Sequence, residues 1–316
     1  MKAQLNAKNA QQVWLTVFVV MMLAGCGGRS GGGGAEGERG GRVVLENKGS
    51  DTLVNVAQAW AEAYREVNPN LAVAVTGGGS GVGIAALING TVDIANASRS
   101  MKDSEKENAR ANGNEPVEFI VGYDALAVYV HHDNPLEEIA ISQLADIYGE
   151  GGPSEDWPAL GVEVPGCSNQ EIIRVSRQNN SGTYVYFREA VLGKQRDYKL
   201  GSRDMHGSKD VVDLVENTAC AIGYSGLAYA TEHIKMLKVK VHADSAGMAP
   251  SVASAIDGTY PIARPLFMYT LGEPTGSVKE YLDWVLSDEG QCIIQAKGYA
   301  PVRVVDCSGS TEAAAG

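Results

Sequence analysis

Basic residues are too few in this chain to balance the acidic ones. The 316 residues include 26 Lys and Arg against 38 Asp and Glu, which gives a formal net charge of −12. Proteins that bind nucleic acid usually present a basic face, so we expect no nucleic-acid partner. An anion site in such a chain has to be built from local dipoles and one or two arginines, because the overall charge would repel the ligand.

Sequence motifs of several enzyme classes are also missing. The chain has no G-x-x-x-x-G-K-[ST] motif, no H-E-x-x-H motif and no C-x-x-C spacing. Ser80 and Ser225 lie among glycines, but Val82 and Leu227 stand at the fifth position of G-x-S-x-G. The His131-His132 pair is expected at a solvated strand end rather than at a metal. We therefore expect no enzyme activity, no cofactor and no metal, with a hydrolase as the least favoured alternative.

No apolar run has the length of about 20 residues that a membrane-spanning helix needs. The run from Val13 to Leu23 has 11 residues and follows the basic residues Lys2 and Lys8, a pattern typical of a signal peptide. Leu23-Ala24-Gly25-Cys26 then resembles a bacterial lipobox. The alternative is an ordinary cleaved signal followed by an incidental cysteine.

These features predict how the chain is placed in the cell. Residues 1–25 are predicted to be a lipoprotein signal peptide, and Cys26 the lipidated residue. Residues 26–41 are rich in glycine and are expected to be a flexible tether. The protein should thus be anchored by lipid to a bacterial membrane, facing the periplasm or the cell exterior. Residues 308–316, which are small and polar, are expected to form a flexible tail.

Cysteine is scarce, with four residues beyond Cys26: Cys167, Cys220, Cys292 and Cys307. An even number in an exported chain favours disulfide bonds. Cys292 and Cys307 are close in sequence, which leaves Cys167 to pair with Cys220. The sequence alone permits three connectivities, and buried free thiols are a further alternative.

From Arg42 onward, short apolar strands alternate with helical stretches, which indicates an α/β fold. The apolar positions of residues 52–67 recur at helical spacing. The predicted strands are Val43–Leu45, Leu71–Val75, Val92–Ala95, Phe119–Val130, Gln170–Ser176 and Ala221–Tyr224. The predicted helices are Thr52–Val67, Ile84–Asn89, Thr183–Leu192 and Ser277–Leu286.

Three segments place small hydroxyl residues and glycine between a strand and a helix. They are residues 48–53, 76–83 and 177–183. The first backbone N–H groups of a helix have no partner within the helix, and the helix dipole adds partial positive charge there. Such junctions are therefore suited to an oxyanion. A fourth segment, residues 93–100, adds Arg99, whose guanidinium could face the same anion.

Taken in order, these four segments resemble the phosphate-binding component of the bacterial phosphate-specific ABC transporter. The resemblance covers residues 43–305. The matching motifs are Gly49-Ser50-Asp51-Thr52, Gly77-Gly78-Gly79-Ser80-Gly81, Asp93 through Arg99, Arg177 through Thr183, Ile222-Gly223-Tyr224, Tyr260-Pro261-Ile262-Ala263-Arg264-Pro265 and Gly298-Tyr299-Ala300-Pro301.

The resemblance implies a type II periplasmic-binding-protein fold, in which two α/β lobes are joined by two crossovers and the ligand lies in the cleft. Lobe I is expected at residues 42–124 plus 260–307, and lobe II at residues 125–259. The crossovers are expected near residues 122–126 and 256–263. The implied function is high-affinity binding of inorganic phosphate by a monomer and its delivery to the membrane permease of an ABC transporter.

The implied phosphate ligands come from all four segments. They are Ser50, Asp51, Thr52, Ser80, Ser98, Arg99, Arg177, Ser181, Gly182 and Thr183.

The sequence departs from the family pattern at two positions. Arg99 stands where some members have an Asp that accepts the phosphate proton, and Asn179 replaces an Asp that pairs with the arginine. We hypothesise that Asp51 is the proton acceptor here. Another tetrahedral oxyanion, such as sulfate or molybdate, and a role in phosphate sensing are the alternatives.

Overall fold

The computed structural model describes residues 42–308. The predicted signal peptide, the predicted lipidation site Cys26, the predicted tether and all but the first residue of the predicted tail lie outside this range. The strands are β1 Val43–Gly49, β2 Leu71–Thr76, β3 Ile94–Ala97, β4 Pro116–His131, β5 Glu138–Ala140, β6 Ile173–Arg177, β7 Arg203–Met205, β8 Ala221–Gly226, β9 Ile234–Lys240 and β10 Ala263–Leu271.

Helices cover these strands. They are α1 Val54–Val67, α2 Ser80–Ile88, α3 Asp103–Ala111, α4 Ile141–Tyr148, α5 Gly182–Phe187, α6 Ser208–Glu216, α7 Val252–Ile256, α8 Gly276–Val285 and α9 Asp288–Ala296. Short 3₁₀ turns lie at Asp51–Leu53, Trp157–Leu160 and Leu227–Tyr229, and α5 continues into a π-helical turn at Arg188–Leu192. The α/β class predicted from the sequence is confirmed.

A single sheet runs through the structure in the order β2-β1-β3-β10-β4-β8-β6-β7, with β9 also paired to β4 and to β5. Strand β4 changes partner along its length and thereby connects two halves of the structure, one on the β10 side of the sheet and one on the β8 side. Residues 116–125 pair with β10, and residues 126–131 pair with β8 and β9. Strands β1, β2 and β3 are mutually parallel, so their carboxyl ends meet at one edge.

Apolar side chains form two main clusters on either side of this change of partner. One cluster is drawn from residues 45–121 and 266–299 and includes Trp60 and Tyr281. The other is drawn from residues 125–262 with Ala300 and includes Trp157 and Phe187. Each half thus buries a core of its own, as expected for a chain of this length.

Helix α1 shows how the apolar pattern positions the first predicted ligand segment. Its buried residues are Val56, Ala57, Trp60 and Tyr64, a spacing that places all four on one face. The Trp60 indole Nε1 donates to the carbonyl of Gly290 at 2.7 Å and ties α1 to α9. The sequence predicts a helix from Thr52, but residues 51–53 form a 3₁₀ turn first. Asp51 and Thr52 therefore lie in this tight turn, ahead of the α-helix.

Disulfide bonds join Cys167 to Cys220 and Cys292 to Cys307, which confirms the pairing favoured by the sequence. The first links segments 53 residues apart, and the second ties the C-terminal segment to α9. Between residues 42 and 308, no helix combines the length and the apolar character required to span a bilayer.

Candidate oxyanion site

Three serine side chains meet where the parallel strands β1, β2 and β3 end. The Ser50 hydroxyl donates to Ser98 Oγ at 2.9 Å, and the Ser98 backbone N–H donates to Ser80 Oγ at 3.0 Å. Ser80 Oγ and Ser98 Oγ are 3.4 Å apart. All three residues are buried. The structure thus brings together hydroxyls from three of the four predicted segments, and we refer to Ser50, Ser80 and Ser98 as the serine cluster.

The start of α5 lies directly against the serine cluster. Ser181 caps this helix by accepting the Thr183 N–H at 3.1 Å, and Thr183 Oγ1 lies 3.1 Å from Thr52 Oγ1. A Cβ atom placed on Gly182 would lie 2.3 Å from Ser80 Oγ and 2.6 Å from Ser98 Oγ. Only glycine lets the backbone of α5 approach the hydroxyls this closely, because any Cβ would occupy their space.

The glycine-rich turn before α2 and the first residues of α2 contact Asn180, which was not among the predicted ligands. The Gly81 N–H donates to the Asn180 carbonyl at 2.9 Å, and Asn180 Nδ2 donates to the Gly78 carbonyl at 3.0 Å. Gly79 adopts a φ of 93°, a conformation that favours glycine. These two hydrogen bonds fix the predicted segments 76–83 and 177–183 against each other.

Arg177 is 1% exposed and has a partner on each side. Its Nη1 donates to Ser208 Oγ at 2.9 Å, while Nη2 donates to the His206 carbonyl at 2.7 Å and to Asp51 Oδ2 at 2.9 Å. Burial lowers the pKa of the Arg177 guanidinium from its ordinary value, and the charge of Asp51 acts in the opposite direction.

The Asp51 carboxylate is occupied by protein donors on both oxygens. Oδ2 accepts from Arg177, and Oδ1 accepts the Gly78 N–H at 2.8 Å. The hypothesis that Asp51 takes up a phosphate proton requires a free oxygen lone pair next to the ligand. In this geometry, the main partners of Asp51 are instead a guanidinium and a backbone amide.

Arg99 is buried, and its guanidinium is engaged by Glu105. Nη1 and Nη2 each donate to one Glu105 oxygen at 2.7 Å, and Nη1 also donates to the Ser100 carbonyl. Glu105 is placed for this contact because its Oε2 accepts the Lys102 N–H at the start of α3. Burial alone would raise the pKa of Glu105, but its bonds to Arg99 and Lys102 outweigh burial and lower it. The expected contact of Arg99 with an anion stays a prediction.

A third buried arginine, Arg264 on β10, was missed as a site residue. Its Nη2 donates to Asp124 Oδ2 at 2.7 Å and to Thr52 Oγ1 at 3.2 Å, and its Nη1 donates to the Ser98 carbonyl at 3.3 Å. Its guanidinium carbon lies 5.5 Å from the centre of the Tyr186 ring. Arg264 therefore holds the Thr52 side chain and the Ser98 backbone in place through hydrogen bonds.

Asp124, the partner of Arg264, lies on β4 where that strand changes partner. Burial raises the pKa of this carboxyl, and the Arg264 charge opposes the shift. Two signals in the sequence could have revealed the pair: an aspartate inside the apolar stretch 119–130, and the arginine of the Tyr260–Pro265 motif.

Potential metal ligands group together at the far end of β4. Single ligand atoms of His131, His132 and Asp133 lie within 4.8 Å of one another. His131 is partly buried, whereas His132 and Asp133 are exposed. This group comprises the last residue of β4 and the next two residues, which form a turn, and it shares no residue with the serine cluster.

Comparison with known proteins shows which family this chain resembles. The family model described as a PBP superfamily domain matches residues 35–289. The phosphate-binding protein PstS of Pseudomonas aeruginosa is 32% identical over 269 residues, covering 82% of this chain and 83% of that protein. The phosphate-binding protein PstS of Bacillus subtilis is 30% identical over 302 residues, covering 93% of this chain and 95% of that protein.

A solved structure shows the same fold. It is described as a phosphate ABC transporter substrate-binding protein from Clostridium perfringens with bound phosphate, and it superposes with a TM-score of 0.71 at 28% identity. The alignment covers 82% of this chain and 100% of that one. The chain therefore belongs to the PBP superfamily and, within it, to the family of the phosphate-binding protein PstS.

Proposed function

We propose that this protein binds inorganic phosphate outside the cytoplasm and delivers it to the permease of an ABC transporter. The observation that carries the proposal is the meeting of the serine cluster with Gly182 and Thr183. Hydroxyls from strand ends and the start of a helix converge there on one buried spot. Such groups donate hydrogen bonds to an oxyanion without placing a free positive charge beside it.

The proposed ligands are the predicted ones: Ser50, Asp51, Thr52, Ser80, Ser98, Arg99, Arg177, Ser181, Gly182 and Thr183. Hydrogen bonds to a charged ligand contribute about 1.5–3 kcal/mol each, and a micromolar Kd corresponds to roughly 8 kcal/mol. About three to six such bonds are therefore enough for micromolar binding, and the hydroxyls and amides of these residues can supply them. The net charge of −12 does not prevent binding, because the proposed site consists of buried hydroxyls and the start of a helix, with the buried Arg177 and Arg264 close by.

We further propose that the ligand is enclosed by two lobes, residues 42–124 plus 260–307 and residues 125–259. Support comes from the two apolar clusters, which lie on opposite sides of the point where β4 changes partner. Closure would then be a hinge motion. A binding role is favoured over catalysis because, within residues 42–308, no hydroxyl of the serine cluster hydrogen-bonds a histidine or a carboxylate that could act as a base.

The proposed location is the outer side of a bacterial membrane, where a monomer is held by lipid on Cys26. The sequence Leu23–Cys26 supports the anchor, and the two disulfide bonds are typical of an oxidising compartment. Radiolabelled palmitate should label the wild-type chain expressed in a bacterial host and should not label Cys26→Ala. Equal labelling of the two chains would refute lipidation at Cys26.

One observation favours another tetrahedral oxyanion as the second candidate. A free carboxylate beside the ligand would repel sulfate, which has no proton to share with it. Both oxygens of Asp51 are instead engaged by Gly78 and Arg177, so this carboxylate would not exclude sulfate or molybdate.

Equilibrium binding of radiolabelled phosphate, competed by sulfate, molybdate and arsenate, tests the proposal. We expect saturable binding of one phosphate per chain, weakened strongly in Ser98→Ala. The matched control is Ser245→Ala, which removes a hydroxyl that bonds only within its own exposed turn, and its affinity should equal that of the wild type. Phosphate binding no tighter than millimolar, or equal competition by sulfate, would overturn the phosphate assignment.

A further inference from the structure

An ion pair connects the two halves of the chain beside the proposed site. Asp51 precedes α1, in the half that contains the Trp60 cluster. Arg177 ends β6, whose Val175 packs with Val211 and Val215 of α6 in the other half. Arg177 Nη2 lies 2.9 Å from Asp51 Oδ2, with the side chains 1% and 12% exposed. Little solvent therefore reaches this contact to weaken the attraction.

Each member of the pair is fixed by its own half of the chain. Asp51 Oδ1 accepts the Gly78 N–H at 2.8 Å, which orients the carboxylate from the side of β1 and β2. Arg177 is oriented by Ser208 Oγ and by the His206 carbonyl, at the start of α6. Neither group needs to rearrange when the two halves meet, so the pair is ready to form on closure.

The backbone of Asp51 makes a second contact across the same boundary. Its carbonyl accepts the Tyr229 hydroxyl at 2.5 Å, and Tyr229 belongs to the 3₁₀ turn after β8. Residue 51 is thus bonded to the opposite half through both its side chain and its main chain. If the halves separated, Arg177 would lose its carboxylate partner while its bonds to Ser208 and His206 remained.

We propose that Asp51 and Arg177 form a closure latch, an ion pair that is made when the lobes close and that slows the release of bound phosphate. The latch rests on the proposed phosphate-binding function. It assigns Asp51 a positioning role that acts through Arg177, instead of the proton-accepting role expected from the sequence. The latch also accounts for the two occupied oxygens of Asp51, one held by its own half and one by the opposite half.

Asp51→Asn tests the latch most directly. Asparagine keeps an oxygen for the Gly78 amide but presents no anion to Arg177. Loss of one member of a buried charged pair acts mainly on dissociation. We expect the phosphate dissociation rate, measured by stopped flow with a large excess of a phosphate scavenger, to rise by about 30-fold or more. The preference for phosphate over sulfate should stay at the wild-type level, because the latch acts through Arg177 and takes no proton from the ligand.

A matched control breaks an ion pair that lies within one half. Glu155→Gln removes the carboxylate that binds Arg174 and Lys199, and its dissociation rate should stay within twofold of the wild type. Arg177→Gln and the double variant complete a double-mutant cycle. We expect the double variant to release phosphate about as fast as Arg177→Gln alone, because the latch is already absent. If Asp51→Asn does not fold, Asp51→Ser takes its place, since serine likewise presents no anion to Arg177.

The outcomes separate the latch from the function. A wild-type protein that fails to bind phosphate refutes both. Phosphate binding by the wild type, combined with unchanged dissociation from Asp51→Asn or with independent effects in the cycle, refutes the latch alone. A change in sulfate preference in Asp51→Asn would restore the proton-accepting role of Asp51 and overturn the positioning role.

Discussion

Gly182→Ala should abolish tight binding by keeping the two halves apart. The new Cβ would lie 2.3 Å from Ser80 Oγ, whereas ordinary contacts begin at 3.4 Å. Relief of this overlap requires a displacement of about 1.1 Å (3.4 − 2.3 Å). The backbone of Gly182 is not in the left-handed region, so alanine is compatible with the backbone of α5. The expected effect therefore comes from the steric overlap of the new Cβ with the serine cluster.

The displacement would break hydrogen bonds that join the halves at this point. Thr52 to Thr183 at 3.1 Å, Gly81 to Asn180 at 2.9 Å and Asn180 to Gly78 at 3.0 Å would all exceed hydrogen-bonding distance. At about 1 kcal/mol each, their loss costs about 3 kcal/mol, which corresponds to a Kd more than about 100-fold higher.

Isothermal titration with phosphate measures this change. Gly90→Ala is the control, because Gly90 has a φ of +67° and no atom within 4 Å of the added Cβ. This variant should lose some stability through backbone strain and keep the wild-type Kd. A Gly182→Ala protein that binds phosphate within threefold of the wild type would refute the reasoning, since the halves would then close without the contact between Gly182 and the serine cluster.

Other contacts give three further predictions. The pKa of Glu105 is lowered in the folded chain, so its stabilising contribution is complete above the unfolded pKa of about 4.3 and is lost as the pH falls through the lower folded value. In urea unfolding measured from about pH 7 to about pH 2, Glu105→Gln should therefore lose less unfolding free energy with acidification than the wild type does. An unchanged pH dependence would contradict the assignment. Replacement of Cys167 and Cys220 by serine removes a disulfide bond between residues 53 positions apart, which should lower the free energy of unfolding by about 4 kcal/mol. The same guanidinium midpoint with and without the bond would show that the bond does not stabilise the fold. Asp124→Asn leaves Arg264 buried without a carboxylate and should destabilise the protein by about 3–5 kcal/mol, whereas Asp283→Asn, at an exposed pair with Lys279, should change the melting temperature little.

The sequence was sufficient where the deciding interactions are local. Ser50, Ser80 and Ser181 each lie at or just before the start of a helix that follows a strand, and that junction is encoded by a few neighbouring residues. The apolar spacing of α1 likewise predicts the face that it buries. Strand β3 was predicted two residues too early, because its bounds are set by pairing with β1, where Ile94 lies opposite Asn47. Nothing within residues 92–97 specifies that register.

Contacts between distant segments could not be predicted in the same way. Asp124 and Arg264 are 140 positions apart, and Asp51 and Arg177 are 126 apart. Their pairing depends on how segments far apart in the chain pack together, which no local pattern encodes. Helix α3 escaped prediction for another reason. It buries only Ala109 and carries charges on its other faces, so it has almost no apolar periodicity to detect.

The place of β10 in the sheet constrains the order in which the chain can assemble. Strand β3 has β1 on one side and β10 on the other, and Ala97 pairs with Phe267. During synthesis, the N-terminal strands emerge long before β10 does. The edge of β3 that later pairs with β10 therefore stays unpaired while residues 125–259 are synthesised. An unpaired strand edge can pair with other chains. A nascent chain of this topology should therefore be most prone to aggregation until β10 has emerged, since only then is the sheet continuous.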